Sequence, residues 1–181
     1  MDRDEALRLV ESKIKNKNLR KHILAVEAVM GRLAEYFSED VQLWRLTGLL
    51  HDLDYERTVK KPEKHTLVTE EWLSEYELDP AIIRGIKAHA GQIEPETKME
   101  KAIYATDPTT GLIVAAALMH PTKKLEGLDV EFLMRRFKEK RFAAGARRED
   151  ILTCERLNLN LEEFLGLCLE GMQRISNELG L

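Results

Sequence analysis

The sequence sets a histidine and an aspartate side by side at the end of an apolar run, Leu49-Leu50-His51-Asp52-Leu53-Asp54. Consecutive residues of a regular helix point about 100° apart, so the pair cannot easily aim at one atom from mid-helix. At a helix end the backbone can turn and let both side chains converge on one cation. The same doublet also reads as an ordinary helix terminus, with His51 favourable at the negative end of the helix dipole and Asp52 opening a loop. The other histidines separate these readings. Of five in the chain, His22, His65 and His89 fall on the apolar faces of three further predicted helices. One histidine on an apolar face is ordinarily a hydrogen-bonded core residue. Three of them plus a helix-terminal His-Asp each need partners for two ring nitrogens, and a shared cation satisfies several at once. Asp107 offers a further carboxylate. Asp107-Pro108-Thr109-Thr110 is equally a helix start, with the aspartate as N-cap and proline at the first helical position. The two roles are compatible, since a capping aspartate keeps one oxygen free.

The elements that carry these residues are helical nearly throughout, because apolar positions recur at helical spacing and strand-like alternation is almost absent. The pattern predicts helices over 2–15, over 18–37 with His22 on the apolar face, and over about 39–51, ending in the His-Asp doublet. A polar loop with Pro62 follows, then a helix over about 63–76 with His65, Val68, Trp72 and Tyr76 on one face. Asp79-Pro80 starts a fifth helix that runs to Gly91 and buries Ile82, Ile83, Ile86 and His89. Further helices are predicted over about 97–107, 109–119, 129–141 and 147–157. A last one opens on the capping pair Asn160 and Glu163. The expectation is one all-α domain over residues 1–181, with a helical-bundle core over about 18–120 and a helical extension over about 121–181.

Composition bounds the function classes. The 181 residues are 44% hydrophobic and 33% charged with the signs interspersed, which describes a globular surface. The net charge of −4 gives no reason to expect a nucleic-acid polymer as partner. Abundant Lys, Arg and Glu beside few Asn and Gln lean toward a thermophilic source. The charged N-terminus lacks the apolar stretch of a signal peptide, and the longest apolar run, 112–119, is too short to span a bilayer, so no membrane role is expected. Cys154 and Cys168 are spaced too widely for a Cys-x-x-Cys site and read as reduced core residues of a cytoplasmic protein.

The order His22, His51-Asp52, Asp107 resembles the signature of the HD superfamily, most of whose members are metal-dependent phosphohydrolases. The longer set, with Lys64-His65 and Ala88-His89, resembles bacterial HD proteins named for a His-Asp-Ile-Gly motif, and the tail looks like that of other bacterial and archaeal members. Asp54 stands where that motif has glycine. Ala90 replaces a second histidine often seen in the fifth helix, and no Gly-Tyr-Pro follows, which argues against the cyclic-di-GMP phosphodiesterases of the superfamily. The resemblance implies that His22, His51, Asp52 and Asp107 hold one divalent metal. His65 and His89 then complete a second site, with Asp52 as the bridge. Two histidines and two carboxylates suit Mn, Fe, Ni or Zn without choosing among them. The implied reaction is hydrolysis of a small phosphorylated metabolite, a nucleotide foremost, by metal-activated water, with Asp52, Asp54 or Glu56 as candidate catalytic bases. The same ligand set serves HD-type di-iron oxygenases, and a non-catalytic nucleotide or metal sensor is a third reading. The sequence leaves the oligomeric state open.

Residues 123–148 hold nine basic and four acidic side chains. Such a run is usually a solvated helix face. It also suits a phosphate clamp at the mouth of a metal site, for which Lys123, Lys124, Lys138 and Arg141 are the candidates. Small residues at 143–145 interrupt it, as in a loop that closes on a ligand.

Overall fold

A computed structural model describes residues 1–181, and the architecture is an all-α bundle without strands. Each long helix begins where a short polar side chain can take up free backbone N–H groups. In α1 (Arg3–Lys13) Asp2 accepts from Glu5 N, and in α2 (Lys17–Phe37) Asn16 accepts from Asn18 N and Leu19 N. Asp40 caps α3 (Val41–Leu50), whose next residue His51 stays in helical conformation before the chain turns. The short α4 (Tyr55–Thr58) lies where the sequence pattern gave only a polar loop. After α5 (Leu67–Leu73) come α6 (Pro80–His89), capped by Asp79, and α7 (Lys98–Met119), opened by a Thr97–Glu100 capping box. The extension comprises α8 (Val130–Lys138), α9 (Arg148–Leu152), α10 (Leu161–Gln173), with the expected Asn160–Glu163 capping box, and α11 (Ser176–Leu179).

Two further departures from the sequence pattern bear on the site. The expected helix over 63–76 is interrupted. Pro62–Lys64 form a single tight turn, His65 is extended, and Thr66 takes a left-handed φ of 68° before α5 begins. That conformation is costly for a β-branched residue, and it lifts His65 off any helix face. The second departure is at Pro108, where the chain does not break. The predicted helices over 97–107 and 109–119 are one helix, α7, with Pro108 inside it, so Asp107 is not an N-cap. An interior proline removes one hydrogen bond and costs about 3 kcal/mol. Both halves of α7 nevertheless share one core, from Met99, Ala102 and Ile103 to Leu112, Ile113, Ala116 and Ala117, and that burial exceeds the penalty. The merged helix is long and apolar enough to cross a membrane, but more than half of its most apolar window is buried inside the bundle.

The core has two parts. The larger joins α2, α7 and α10, with Val26, Met30, Leu33, Ile113, Phe164, Leu165 and both cysteines in one cluster, so the helices before residue 120 and the extension share it. The smaller packs Val10, Ile14, Ile23, Leu49, Leu50, Leu53, Ile82 and Ile86. Glycine permits the closest approach around α2. A Cβ on Gly48 of α3 would lie 2.9 Å from Glu27 Cα, and one on Gly171 of α10 would lie 3.0 Å from Val29 Cα. Beside that contact the buried Glu27 carboxylate is held by Arg3 and Arg45.

Candidate metal centre

Five segments bring their functional side chains to one point: His22 from α2, His51 and Asp52 from the end of α3, His65 from the turn before α5, His89 from the end of α6, and Asp107 from the middle of α7. The interrupted elements account for two of these positions. The turn at Thr66 frees His65 to point inward, and the continuous α7 fixes Asp107 on a rigid rod.

The imidazoles share one orientation rule. His51 Nδ1 lies 2.7 Å from Gly48 O and His89 Nδ1 lies 2.5 Å from Ile86 O, each the carbonyl three residues earlier in its own helix. His65 Nδ1 lies 2.8 Å from Asp54 Oδ1. Only an N–H can face these oxygens, so each Nδ1 carries the proton. The Thr110 hydroxyl donates to Asp107 O, which leaves its oxygen to accept from His22 Nδ1 at 3.1 Å. All four Nε2 atoms therefore present lone pairs, and they converge. His22 and His51 Nε2 are 3.3 Å apart, and His65 and His89 Nε2 are 3.2 Å apart. Two lone pairs at that distance have no hydrogen between them to share. A cation, or an added proton, is what such a pair lacks.

Asp52 lies between the pairs. Its Oδ2 is 3.7 Å from His22 Nε2 and 3.6 Å from His51 Nε2, while Oδ1 is 3.4 Å from His65 Nε2 and 3.5 Å from His89 Nε2. Asp107 Oδ1 completes the first side, 3.0 Å from His22 and 3.8 Å from His51. The donor atoms of His22, His51 and Asp107 lie within 4.8 Å of one another, as do those of His51, Asp52 and His89. The charges agree with a site made for positive charge. Burial pulls the His51 imidazole down to about 4 against the pull of Asp52. Burial also opposes charge on His22 and His89, but Asp107 and Asp52 outweigh it and raise both above the ordinary histidine value. Burial would raise Asp52 and Asp107, yet the imidazoles hold both carboxyls below the usual range: His51, then His89 and His22, for Asp52; His22, then His51, for Asp107. With the Nδ1 positions fixed and the carboxyls ionised, the four Nε2 atoms face the carboxylates, a place for positive charge that a divalent cation can take from a proton.

The structure does not aim the other two expected bases at this centre. Asp54 is buried, with Oδ1 accepting from His65 Nδ1 and Oδ2 from Thr69 N at 2.9 Å. It orients His65, and its oxygens are engaged there. Burial raises its carboxyl, but His65 and the Thr69 N–H hold it below the usual range. Glu56 accepts from the Lys15 and Asn16 backbone N–H groups at the start of α2 and lines neither cavity at the centre. Removing a carboxylate behind a metal-ligating histidine typically weakens metal binding roughly 10–100-fold. Asp54→Ala is therefore expected to weaken metal binding on the His65 and His89 side by that factor and to spare the His22 side. Calorimetric titration with Mn²⁺ checks this, and two unchanged isotherms would remove Asp54 from any orienting role.

Two cavities open on the centre. One of about 720 Å³ is lined by His22, Asp52, His65, His89 and Asp107 together with Tyr55 and Gln92. The other, of about 570 Å³, starts at His89 and Asp107 and extends to Tyr104 and Arg147. The four basic candidates are not brought to either. Lys123, Lys124, Lys138 and Arg141 are exposed and line neither cavity. The loop after α8 folds so that Ala143, Gly145, Ala146 and Arg147 face the cavity instead. Arg135 and Arg136 are taken up by Glu131 and Glu139 on their own side of the helix, as on a solvated face. Sequence reasoning missed Thr110, whose position three residues after Asp107 is its one signal, and the carbonyls of Gly48 and Ile86, each three residues before a candidate histidine.

Fold and site together define a class: all-α bundles in which histidines and aspartates from separate helices form a metal centre around a His-Asp doublet. The sequence profile of the HD domain matches residues 19–117, and the chain belongs to the HD-domain family, within a superfamily of metal-dependent phosphohydrolases. Among curated proteins it is similar to ribonuclease Y of Bacillus licheniformis, 28% identical over 166 residues, covering 90% of this chain and 32% of the relative. Ribonuclease Y of Bacillus subtilis strain 168 is 27% identical over the same length and coverage. The chain thus spans about a third of the length of the curated relatives it matches. No solved structure matches it significantly.

Proposed function

We propose that this protein hydrolyses a phosphoester of a small phosphorylated metabolite, a nucleotide, with divalent metal held by His22, His51, Asp52 and Asp107 and a second ion held by His65 and His89, Asp52 serving both. The observation that carries this is the convergence of four Nε2 lone pairs on the two oxygens of Asp52. Mn, Fe, Ni and Zn all suit this nitrogen and oxygen set. A divalent cation bound there supplies Lewis acidity, bringing water ionisation toward neutral pH and offsetting phosphoryl charge. The chain supplies the rest. Asp52 stays ionised in its imidazole surround and can orient the attacking water or take its proton. His51, fully buried, fixes the floor of the site. His22, His65 and Asp107 line the larger cavity, from which a phosphate group reaches them.

A second reading, a phosphodiester within RNA, is favoured by the name of the ribonuclease Y relatives and by one surface feature. Arg57, Lys60, Lys61 and Lys64 sit on the segment between Asp54 and His65 and line a groove of about 460 Å³ with Trp72. Arg57 lies over the Trp72 ring, 5.8 Å from its centroid, Glu71 also lines the groove, and a row of cations beside an aromatic suits a phosphate backbone.

The test is elemental analysis of the purified protein, followed by a screen of nucleotides, other phosphomonoesters and short RNAs with the metal found. Metal-stimulated phosphate release, abolished by chelation, is expected. Bound iron with a mixed-valent signal and no phosphate or nucleotide release would overturn the hydrolase reading in favour of oxygenase chemistry.

A further inference from the structure

The cavity of about 570 Å³ beside the centre has a construction the metal chemistry does not require. His89 and Asp107 form one end. Along one wall run Pro108, Gly111 and Ala115 of α7. The opposite wall comes from residues 143–150, beyond the stretch matched by the HD profile. Apart from the Tyr104 ring at the rim, the apolar lining is proline, glycine and alanine, a low surface. A Cβ placed on Gly111 or Gly145 would meet no atom within 4 Å, so both backbones face open space. At the far rim, Tyr104 Oη donates to Asp150 Oδ1 at 3.0 Å, and Arg147 Nε lies 3.3 Å from Asp150 Oδ2. Arg147 Nη2 also lies 3.6 Å from Glu149 Oε1, which leaves Nη1 of this 64% exposed side chain to meet a ligand.

The wall from the extension is held in shape. Arg148 has no carboxylate partner. Its Nε donates to Phe137 O, its Nη1 to Ala143 O and Ala146 O, and its Nη2 to Arg136 O, Glu139 O and Phe142 O, at 2.6 to 3.5 Å. A guanidinium spent wholly on main-chain carbonyls fixes the loop over 137–146 before any ligand arrives, which is how a binding wall avoids an ordering cost. The volume falls within the range of about 300–1,000 Å³ typical of small-ligand sites.

We infer that this cavity is the specificity pocket of the enzyme and that it receives the nucleoside part of the substrate while the phosphate lies at the centre. The inference rests on the phosphohydrolase reading for the position of the phosphate, but the pocket stands on its own lining. A slab of small residues offers contact to the face of a flat ring. The planar Arg147 guanidinium and the Tyr104 ring add groups that stack on aromatic faces. The Asp150 carboxylate supplies acceptors at the edge of such a ring. An inorganic or sugar phosphate would leave this apolar slab uncovered. The nucleoside could belong to a free nucleotide or to the end of an RNA chain, which share this chemistry.

Calorimetry on the Mn²⁺-loaded protein tests the assignment, with the four nucleoside 5′-monophosphates, ribose 5-phosphate, the free nucleosides and a 5′-phosphorylated trinucleotide as probes. The wild type is expected to bind at least one nucleotide tenfold or more tighter than ribose 5-phosphate. Gly111→Leu fills the open face of α7 without striking the fold, and it should abolish that advantage while helicity, metal content and ribose 5-phosphate affinity stay as in the wild type. Gly111→Ala, a far smaller intrusion, should keep most of it, and Arg147→Ala should reduce it several-fold. Equal affinity for nucleotide and ribose 5-phosphate in the wild type, or an advantage that survives Gly111→Leu, overturns the pocket. If phosphates fail to bind but a nucleoside binds and is lost in Gly111→Leu, the pocket holds and the phosphohydrolase reading falls. If neither phosphates nor nucleosides bind, both fall. A trinucleotide that binds more tightly than the mononucleotide assigns the pocket to an RNA end; equal affinities assign it to free nucleotides.

Discussion

His51→Ala and Asp52→Ala proteins should each bind divalent metal at least roughly 100-fold more weakly than the wild type, beyond the usual loss on removing a mere supporting partner. Asp52 is the stronger case. It alone stands within 4 Å of Nε2 atoms on both sides of the centre, so its loss removes a ligand from each side and leaves four imidazoles without the carboxylate between them. His51 is wholly buried, with Nδ1 already committed to Gly48 O, so its Nε2 has no other task. Truncation to alanine also leaves a cavity, so a stability cost accompanies the metal loss. His51→Gln, which fills more of that volume, separates the two effects. Plasma emission analysis on proteins that retain a helical circular dichroism spectrum reads the result. Stoichiometric metal in either alanine variant would make the doublet a structural helix end.

The second large effect belongs to a residue that touches no ligand. Gly48→Val is expected to destabilise the protein by at least about 2 kcal/mol, within the usual cost of overpacking. The new Cβ would meet backbone on the facing helix, Glu27 Cα at 2.9 Å and the Val26 carbonyl carbon at 3.1 Å, and backbone cannot rotate away. α2 and α3 must then separate. His22 lies on α2 and His51 at the end of α3, with Nε2 atoms 3.3 Å apart, so metal affinity should fall along with stability. Gly48→Ala should show the smaller version, partly offset by the gain of about 1 kcal/mol in helix propensity. A urea midpoint unmoved in Gly48→Val would mean the helices are not in the contact described.

Much of this was legible in the sequence because it is local. Apolar spacing marked most of the helices, and Asp79 and Asn160 cap where short polar residues precede apolar runs. The doublet and the histidines pointed to one centre because buried imidazoles need partners. What escaped depends on tertiary energy. Pro108 is locally a helix start, and only burial of both halves of α7 in one core carries the helix through it. His65 resembled a helix-face residue because its i+3 and i+7 neighbours are apolar, whereas the left-handed Thr66 detaches it. Asp54 and Glu56 looked free to act as bases since nothing in their spacing reveals that Thr69, Lys15 and Asn16 claim their oxygens. The basic run did not reveal that Arg147, and none of Lys123, Lys124, Lys138 and Arg141, lines a cavity at the centre, because the direction of a loop residue is set by the fold of the loop.

The Arg148 anchor has a consequence for how this molecule can diverge. It grips the loop over 137–146 only by main-chain carbonyls, which every residue type carries. Side chains at Ala143, Ala144 and Gly145 can therefore be exchanged while the loop keeps its course, provided the left-handed φ of 45° at Ala143 is respected. Arg148 itself has no such latitude, since lysine offers no planar fork to span six oxygens. Descendants of this chain could thus acquire new substrate preferences by drift along the loop, with the mutational burden concentrated on the one residue that never meets a ligand.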